Sequence, residues 1–116
     1  MKILYIEDSP EHLRTAQRVA SDMGHELVTA KTGKDGLAQL VNVPDLVLID
    51  IHLPDANGLD LVRQIRNAHY SMPIIALTGD VWAYDERQAI QAGCNGFLEK
   101  PCAIEKLREI ITRFSL

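Results

Sequence analysis

Short apolar runs alternate along this chain with segments in which apolar residues recur at helical spacing. The runs predict strands at residues 2–6, 26–30, 46–49, 73–77 and 96–99. A helical pattern follows each strand, and the first helix begins at Ser9 and Pro10, a capping hydroxyl followed by the residue favoured in a first helical turn. This alternation predicts a doubly wound α/β fold, in which five helices flank a five-stranded parallel sheet.

The predicted helices differ in how regular their patterns are. The second is predicted over residues 33–40, with its inward positions at Leu37, Leu40 and Val41. The fourth is predicted over residues 81–92, where Gly93 ends it. The fifth has the most regular apolar stripe, formed by Ile104, Leu107, Ile110, Ile111 and Phe114.

The third and fourth strands are unbroken apolar runs, as expected of central strands that are buried on both faces. In open parallel sheets, ligands bind beyond the carboxyl ends of the strands, where the strand order reverses. The residues that directly follow each strand are therefore the candidate site.

The composition limits the classes of protein to which the chain can belong. The chain has 116 residues, 47% of them hydrophobic, which fits one domain over residues 1–116 with its own core. Its net charge of −4 argues against a nucleic-acid partner, because a nucleic-acid-binding domain requires a basic face.

Glu7 and Asp8 interrupt the apolar start of the chain, so no signal peptide or membrane insertion is expected and a cytoplasmic location is predicted. Cys94 and Cys102 fit no metal-binding spacing and are expected to be reduced thiols.

Acidic, hydroxyl and basic side chains follow the predicted strands. Glu7 and Asp8 follow the first strand, Asp50 the third, Thr78 the fourth and Lys100 the fifth. Converging carboxylates repel each other unless a cation neutralises them, and an all-oxygen donor set favours Mg²⁺. A lysine and a hydroxyl beside a metal form a cradle for a phosphoryl group. Asp50 ends a central strand, so it is the predicted nucleophile that would form an aspartyl-phosphate.

With these residues in this order, the sequence resembles the receiver domains of two-component response regulators over essentially its whole length. The resemblance is carried by Glu7 and Asp8, by the run LVLIDIHLPDANG around Asp50, by ALTG with Thr78 and by GFLEKP with Lys100. It implies the CheY-like, flavodoxin-like arrangement, with strand order 2-1-3-4-5.

The resemblance implies a role for each site residue. Asp50 would accept a phosphoryl group from a phosphohistidine on a sensor histidine kinase or a histidine phosphotransfer protein. Thr78 would bond a phosphoryl oxygen, and Lys100 would pair with the phosphate charge. The Mg²⁺ ligands would be Glu7, Asp8, Asp50 and the backbone carbonyl of His52.

The resemblance also implies a conformational switch. Movement of Thr78 toward the phosphoryl group would vacate space that Phe97 enters, which changes the surface of the fourth helix, fifth strand and fifth helix where protein targets bind. Trp82 and Tyr84 fall near the start of the fourth helix, and they either pack against the sheet or contribute to a partner surface. The Lys100–Pro101 bond is expected to be cis, as it often is in the family.

The sequence departs from the family pattern at several positions. Glu7 stands where an aspartate is commoner, and Phe97 lacks the hydroxyl of the frequent tyrosine. His52 and Asp80 occupy variable positions that tune the lifetime of the phosphoryl group in the family. His52 either orients the attacking water or is a plain surface residue beside the site.

No output domain follows the fifth helix in this sequence. Either the chain is a single-domain regulator, which the start at Met1 favours, or it is a receiver cut from a larger protein. A single-domain regulator would act by protein contact, and the chain is expected to be a monomer or a weak dimer.

The same residues are compatible with other classes of function. A Mg²⁺-dependent phosphohydrolase would also use Asp50, but those of the haloacid dehalogenase type carry an acid where this chain has His52. A docking module that works without phosphorylation is disfavoured by the intact acids, Thr78 and Lys100. A nucleotide-binding role is disfavoured because no glycine-rich phosphate loop follows any strand.

Overall fold

The computed structural model describes residues 1–115. Over that range five parallel strands form one sheet, in the order β2-β1-β3-β4-β5. The strands are β1 (Lys2–Ile6), β2 (Glu26–Ala30), β3 (Leu46–Asp50), β4 (Ile74–Thr78) and β5 (Gly96–Glu99). The helices are α1 (Pro10–Asp22), α2 (Gly33–Gln39), α3 (Gly58–Asn67), α4 (Glu86–Ala92) and α5 (Ile104–Phe114), and a short 3-10 helix spans Leu40–Asn42. The predicted fold class and strand order are confirmed.

The sheet separates two apolar layers. β3 and β4 are buried at every position, because their unbroken apolar runs face helices on both sides. Successive side chains of β3 point to opposite faces, so Leu48 packs in the layer with α1 and α5, whereas Ile49 packs in the layer with α3 and α4. None of the helices within residues 1–115 is long and apolar enough to span a bilayer.

The start of α4 differs from the prediction. α4 begins at Glu86 because Asp85 caps it, with the Asp85 carboxylate accepting the Gln88 N–H and the Gln88 side chain accepting the Asp85 N–H. Residues 81–83 form a turn instead, in which the Asp80 carboxylate accepts the Ala83 N–H at 3.1 Å. The predicted helix over residues 81–92 was therefore five residues too long at its start.

The end of the second helical segment also differs. Leu40 is buried as predicted, but Val41 is 72% exposed, so its predicted inward position was wrong. The chain tightens from α-helix to 3-10 helix at this point, and the different rotation per residue turns Val41 toward solvent. Cys94 and Cys102 are both free thiols, as expected.

Candidate functional site

The strands of the sheet end at a common edge, and four of them bring polar residues there. Asp50 and Thr78 are the last residues of β3 and β4, while Glu7 and Lys100 directly follow β1 and β5. The register pairs Asp50 with Leu77, so Thr78 lies one residue further along the neighbouring strand. The parallel arrangement therefore gathers the predicted site residues at the carboxyl edge of the sheet.

Three carboxylates form a compact group at this edge. Glu7, Asp8 and Asp50 each offer one oxygen, and these oxygens lie within 4.8 Å of one another. Glu7 and Asp50 are buried, whereas Asp8 is exposed. An all-oxygen set that opens to solvent on one side suits a hard cation that keeps several of its waters. The residues present therefore fit the Mg²⁺ ion that the sequence implied.

The Lys100 ammonium group bridges the two buried carboxylates. Its Nζ lies 2.7 Å from Glu7 Oε2 and 3.3 Å from Asp50 Oδ2. The Lys100 side chain is only 13% exposed, so water screens these ion pairs weakly. The Lys100 N–H donates to the carbonyl of Thr78, and the Lys100–Pro101 bond is cis, as expected. Lys100 is thus tied to β4 through its backbone and to both acids through its side chain.

Glu7 has more partners than the sequence suggested. The Tyr5 hydroxyl donates to Oε2 at 3.3 Å, and the Ser9 N–H donates to Oε1 at 3.1 Å. Burial and the charge of Glu7 raise the pKa of Tyr5, which keeps its hydroxyl protonated as a donor. His12 Nδ1 lies 3.6 Å from Oε1. A carboxylate has about four acceptor positions, so an oxygen of Glu7 can still accept from a water or contact a cation.

Two of these contacts could have been found from the sequence. Tyr5 precedes Glu7 by two residues along a strand, so period-two alternation places both side chains on the same face of the sheet. Ser9 lies two residues after Glu7, at the start of α1, where backbone N–H groups commonly meet a nearby carboxylate. The His12 contact depends on how α1 packs over β1, for which no sequence pattern gives a signal.

Opposing effects set the proton affinity of Asp50. Burial raises its pKa above the ordinary value, and the negative charge of Glu7 raises it further. The charge of Lys100 and the N–H of His52, which donates to Oδ1 at 3.2 Å, partly offset that rise. The anionic form of Asp50, which a nucleophile requires, is therefore supported by neighbouring positive charge and hydrogen-bond donors.

The predicted switch residues lie on β4 and β5. Thr78 is fully buried, and its Oγ1 accepts the Asp80 N–H at 3.0 Å. Phe97 is half-buried and packs against the core layer that contains α3 and α4. The two aromatic residues before α4 differ from each other, since Tyr84 packs against that same layer whereas Trp82 is 97% exposed.

The whole of this arrangement has known counterparts. The response regulator receiver domain family matches residues 3–112. This chain belongs to that family. The match confirms the resemblance that the motifs indicated, to the receiver domains of two-component systems.

Relatives of this receiver domain include both regulators and kinases. It is 33% identical over 108 residues to the transcriptional regulatory protein DltR of Streptococcus agalactiae, which covers 92% of this chain and 48% of DltR. It is 28% identical over 116 residues to the sensor histidine kinase RcsC of Escherichia coli, which covers 99% of this chain and 12% of RcsC. The chain thus spans about half the length, or less, of these curated relatives.

Solved receiver structures superpose closely on this one. A CheY-like response regulator receiver domain protein from Methanospirillum hungatei has a TM-score of 0.86 at 28% identity, covering 97% of this chain and 90% of that one. The receiver domain of NtrX from Brucella abortus has a TM-score of 0.85 at 29% identity, covering 96% of this chain and 95% of that one. The similarity therefore extends over nearly the whole sheet and its helices.

Proposed function

We propose that this receiver domain accepts a phosphoryl group on Asp50, in the presence of Mg²⁺, from a phosphohistidine of a sensor histidine kinase or a histidine phosphotransfer protein. The observation that supports the proposal is the convergence of Glu7, Asp8 and Asp50 within 4.8 Å, with the Lys100 ammonium beside the two buried acids. Phosphoryl transfer depends mainly on positioning and on neutralising charge, and this group of residues can do both.

The proposed transfer exchanges one bond to phosphorus for another. A carboxylate oxygen of Asp50 forms the new P–O bond while the P–N bond to the donor histidine breaks. The donor imidazole leaves with the bonding electron pair and takes a proton from solvent. Lys100, whose Nζ lies 3.3 Å from Asp50 Oδ2, is placed to pair with the charge of the incoming phosphoryl oxygens.

Magnesium would be held by the three carboxylates and, by resemblance, by the backbone carbonyl of His52. When bound, the ion would neutralise negative charge on the acids and on the phosphoryl oxygens. Glu7 and Asp50 are buried together, so their mutual repulsion favours a site that gains a cation.

Thr78 and Phe97 are proposed to convert phosphorylation into a change of surface. Thr78 Oγ1 accepts from the Asp80 N–H, so the hydroxyl hydrogen can be donated to a phosphoryl oxygen. Phe97 pairs in register with Ala76, two residues before Thr78 on β4, so a shift of Thr78 and the chain that follows it changes the space near its ring. The affected surface, formed by α4, β5 and α5, is proposed to bind a downstream protein.

Mass spectrometry after incubation with Mg²⁺ and acetyl phosphate tests the phosphoacceptor. One added phosphoryl group is expected in the parent chain, and it should be absent after Mg²⁺ is chelated and absent in Asp50→Asn. Asp60→Asn is the matched control, because that exposed carboxylate pairs with Arg63 on α3, away from the site, and its adduct should persist. An adduct that persists in Asp50→Asn, or no adduct in the parent chain, contradicts the proposal.

The wider setting follows from the same proposal. Residues 1–116 are proposed to act as one receiver domain in the cytoplasm, as a monomer or weak dimer that uses protein partners rather than nucleic acid. The formal net charge of −4 supports the last point. A phosphoester turnover assay distinguishes this role from that of a phosphohydrolase, since a receiver should give a single adduct rather than steady product release.

A further inference from the structure

The buried Glu7 carboxylate shares one of its oxygens between two donors. Oε2 accepts from Lys100 Nζ at 2.7 Å and from the Tyr5 hydroxyl at 3.3 Å. Glu7 is only 1% exposed, so water cannot readily replace a donor that is lost. The negative charge of this carboxylate is therefore stabilised jointly, by the ammonium group of Lys100 and by the phenol of Tyr5.

The two donors differ in how firmly they are held. Tyr5 lies on β1, inside the sheet between β2 and β3, and its buried ring packs in the core layer with α1 and α5. Its hydroxyl therefore donates to Glu7 from a fixed position. The Lys100 ammonium is carried on a flexible four-carbon chain, so it can move between the acids that it contacts.

Glu7 and Asp50 compete for the Lys100 ammonium group. Nζ lies 2.7 Å from Glu7 Oε2 but 3.3 Å from Asp50 Oδ2. A stronger pair with Glu7 would leave less positive charge for a phosphoryl group on Asp50. A second donor on Oε2 has the opposite effect, because it reduces the share of the buried charge that Lys100 alone must compensate. The Tyr5 hydroxyl is placed to be that second donor.

We propose that Tyr5 is a positioning residue for phosphoryl transfer, whose hydroxyl holds the Glu7 carboxylate and thereby leaves the Lys100 ammonium available to the phosphoryl group. This inference rests on the proposed function. In transfer from acetyl phosphate, a carboxylate oxygen of Asp50 bonds to phosphorus while the bond from phosphorus to the acetyl oxygen breaks, and acetate leaves with the bonding electron pair. The Tyr5 hydroxyl keeps its proton in this step and acts only through Glu7 and Lys100.

Tyr5→Phe tests the inference, because it keeps the buried ring and removes only the hydroxyl. At saturating Mg²⁺, the rate of phosphoryl uptake from acetyl phosphate, followed by mass spectrometry, is expected to fall about two- to tenfold, the range in which one hydrogen bond acts. The Kd for Mg²⁺, measured by calorimetric titration, should not rise, because a buried carboxylate that has lost a donor gains at least as much from a cation. Tyr70→Phe is the matched control, since Tyr70 is half-buried in the other core layer before β4, and it should change neither quantity.

A second background separates positioning from general damage to the site. In Lys100→Met, Tyr5→Phe should slow phosphoryl uptake no further, because the ammonium through which Tyr5 acts is absent. Equal slowing with and without Lys100 would overturn the inference, as would an unchanged rate in Tyr5→Phe or a joint loss of rate and Mg²⁺ affinity. A parent chain that takes up no phosphoryl group refutes the proposed function as well, whereas normal uptake that Tyr5→Phe does not slow refutes only the role of Tyr5.

Discussion

Gly58 stands where the start of α3 meets the end of β3, and a side chain at this position would collide with the backbone of the site. A Cβ on Gly58 would lie 2.3 Å from the Asp50 carbonyl oxygen and 2.8 Å from Ile51 Cα. Backbone atoms cannot rotate away as a flexible side chain can. The two segments would have to separate by roughly 1 Å before the new contact reached the ordinary range of 3.4–4 Å.

The size of the effect follows from what that separation breaks. The Gly58 N–H donates to the Ile51 carbonyl at 2.7 Å, and loss of such a bond costs about 1 kcal/mol. Forcing an extra methyl group into a packed site costs about 1–3 kcal/mol. The higher helix propensity of alanine returns less than about 1 kcal/mol. Gly58→Ala should therefore lower the free energy of unfolding by about 2 kcal/mol.

Urea denaturation followed by circular dichroism measures this change, and calorimetric titration with Mg²⁺ measures its consequence at the site. Binding of Mg²⁺ should weaken, because the displaced backbone carries Asp50. Gly79→Ala is the matched control near the same edge of the sheet, since its Cβ would meet only the Lys100 carbonyl oxygen at 4.0 Å. The reasoning is refuted if Gly58→Ala is as stable as the parent chain, or if Gly79→Ala is destabilised to the same degree.

Further expectations concern the charged residues. Burial raises the folded-state pKa of Asp50, so its charge costs stability at neutral pH and this cost disappears as the pH falls through the raised pKa toward the unfolded value. Asp50→Asn should accordingly unfold at a higher temperature than the parent chain at pH 7 without Mg²⁺. Calorimetry should show that this difference in unfolding temperature becomes smaller toward pH 4. A difference that grows on acidification contradicts the argument. Arg66 donates to the carbonyls of Gly93, Tyr70 and Met72 and to the Asn95 side chain, so Arg66→Met should lower the free energy of unfolding in urea by about 2–3 kcal/mol. Arg63→Met, which removes only an exposed pair with Asp60, should cost less than about 0.5 kcal/mol, and equal losses in both variants would count against the argument.

The strands were predictable because their signal is strong and local. A run of apolar residues such as that of β3 can be satisfied only where both faces are covered, so its central position in the sheet follows from burial alone. The predicted start of α4 was wrong, because the apolar residues from Val81 onward resemble the beginning of a helix. The deciding feature was the reciprocal cap between Asp85 and Gln88, which is visible in the sequence and outweighs the apolar pattern.

The position of the site could be predicted from the sequence, whereas the contacts within it could not. Parallel strands all end at one edge, so residues that follow them must meet there, whatever their identity. Which side chains touch depends instead on their length and on the conformation of loops. Glu7 is one methylene longer than the commoner aspartate. Its carboxylate lies 2.7 Å from Lys100 Nζ, whereas the Asp50 carboxylate lies 3.3 Å from the same nitrogen. The ammonium that pairs with Asp50 is consequently shared with a second buried acid, so the identity of residue 7 bears directly on how much positive charge Asp50 receives.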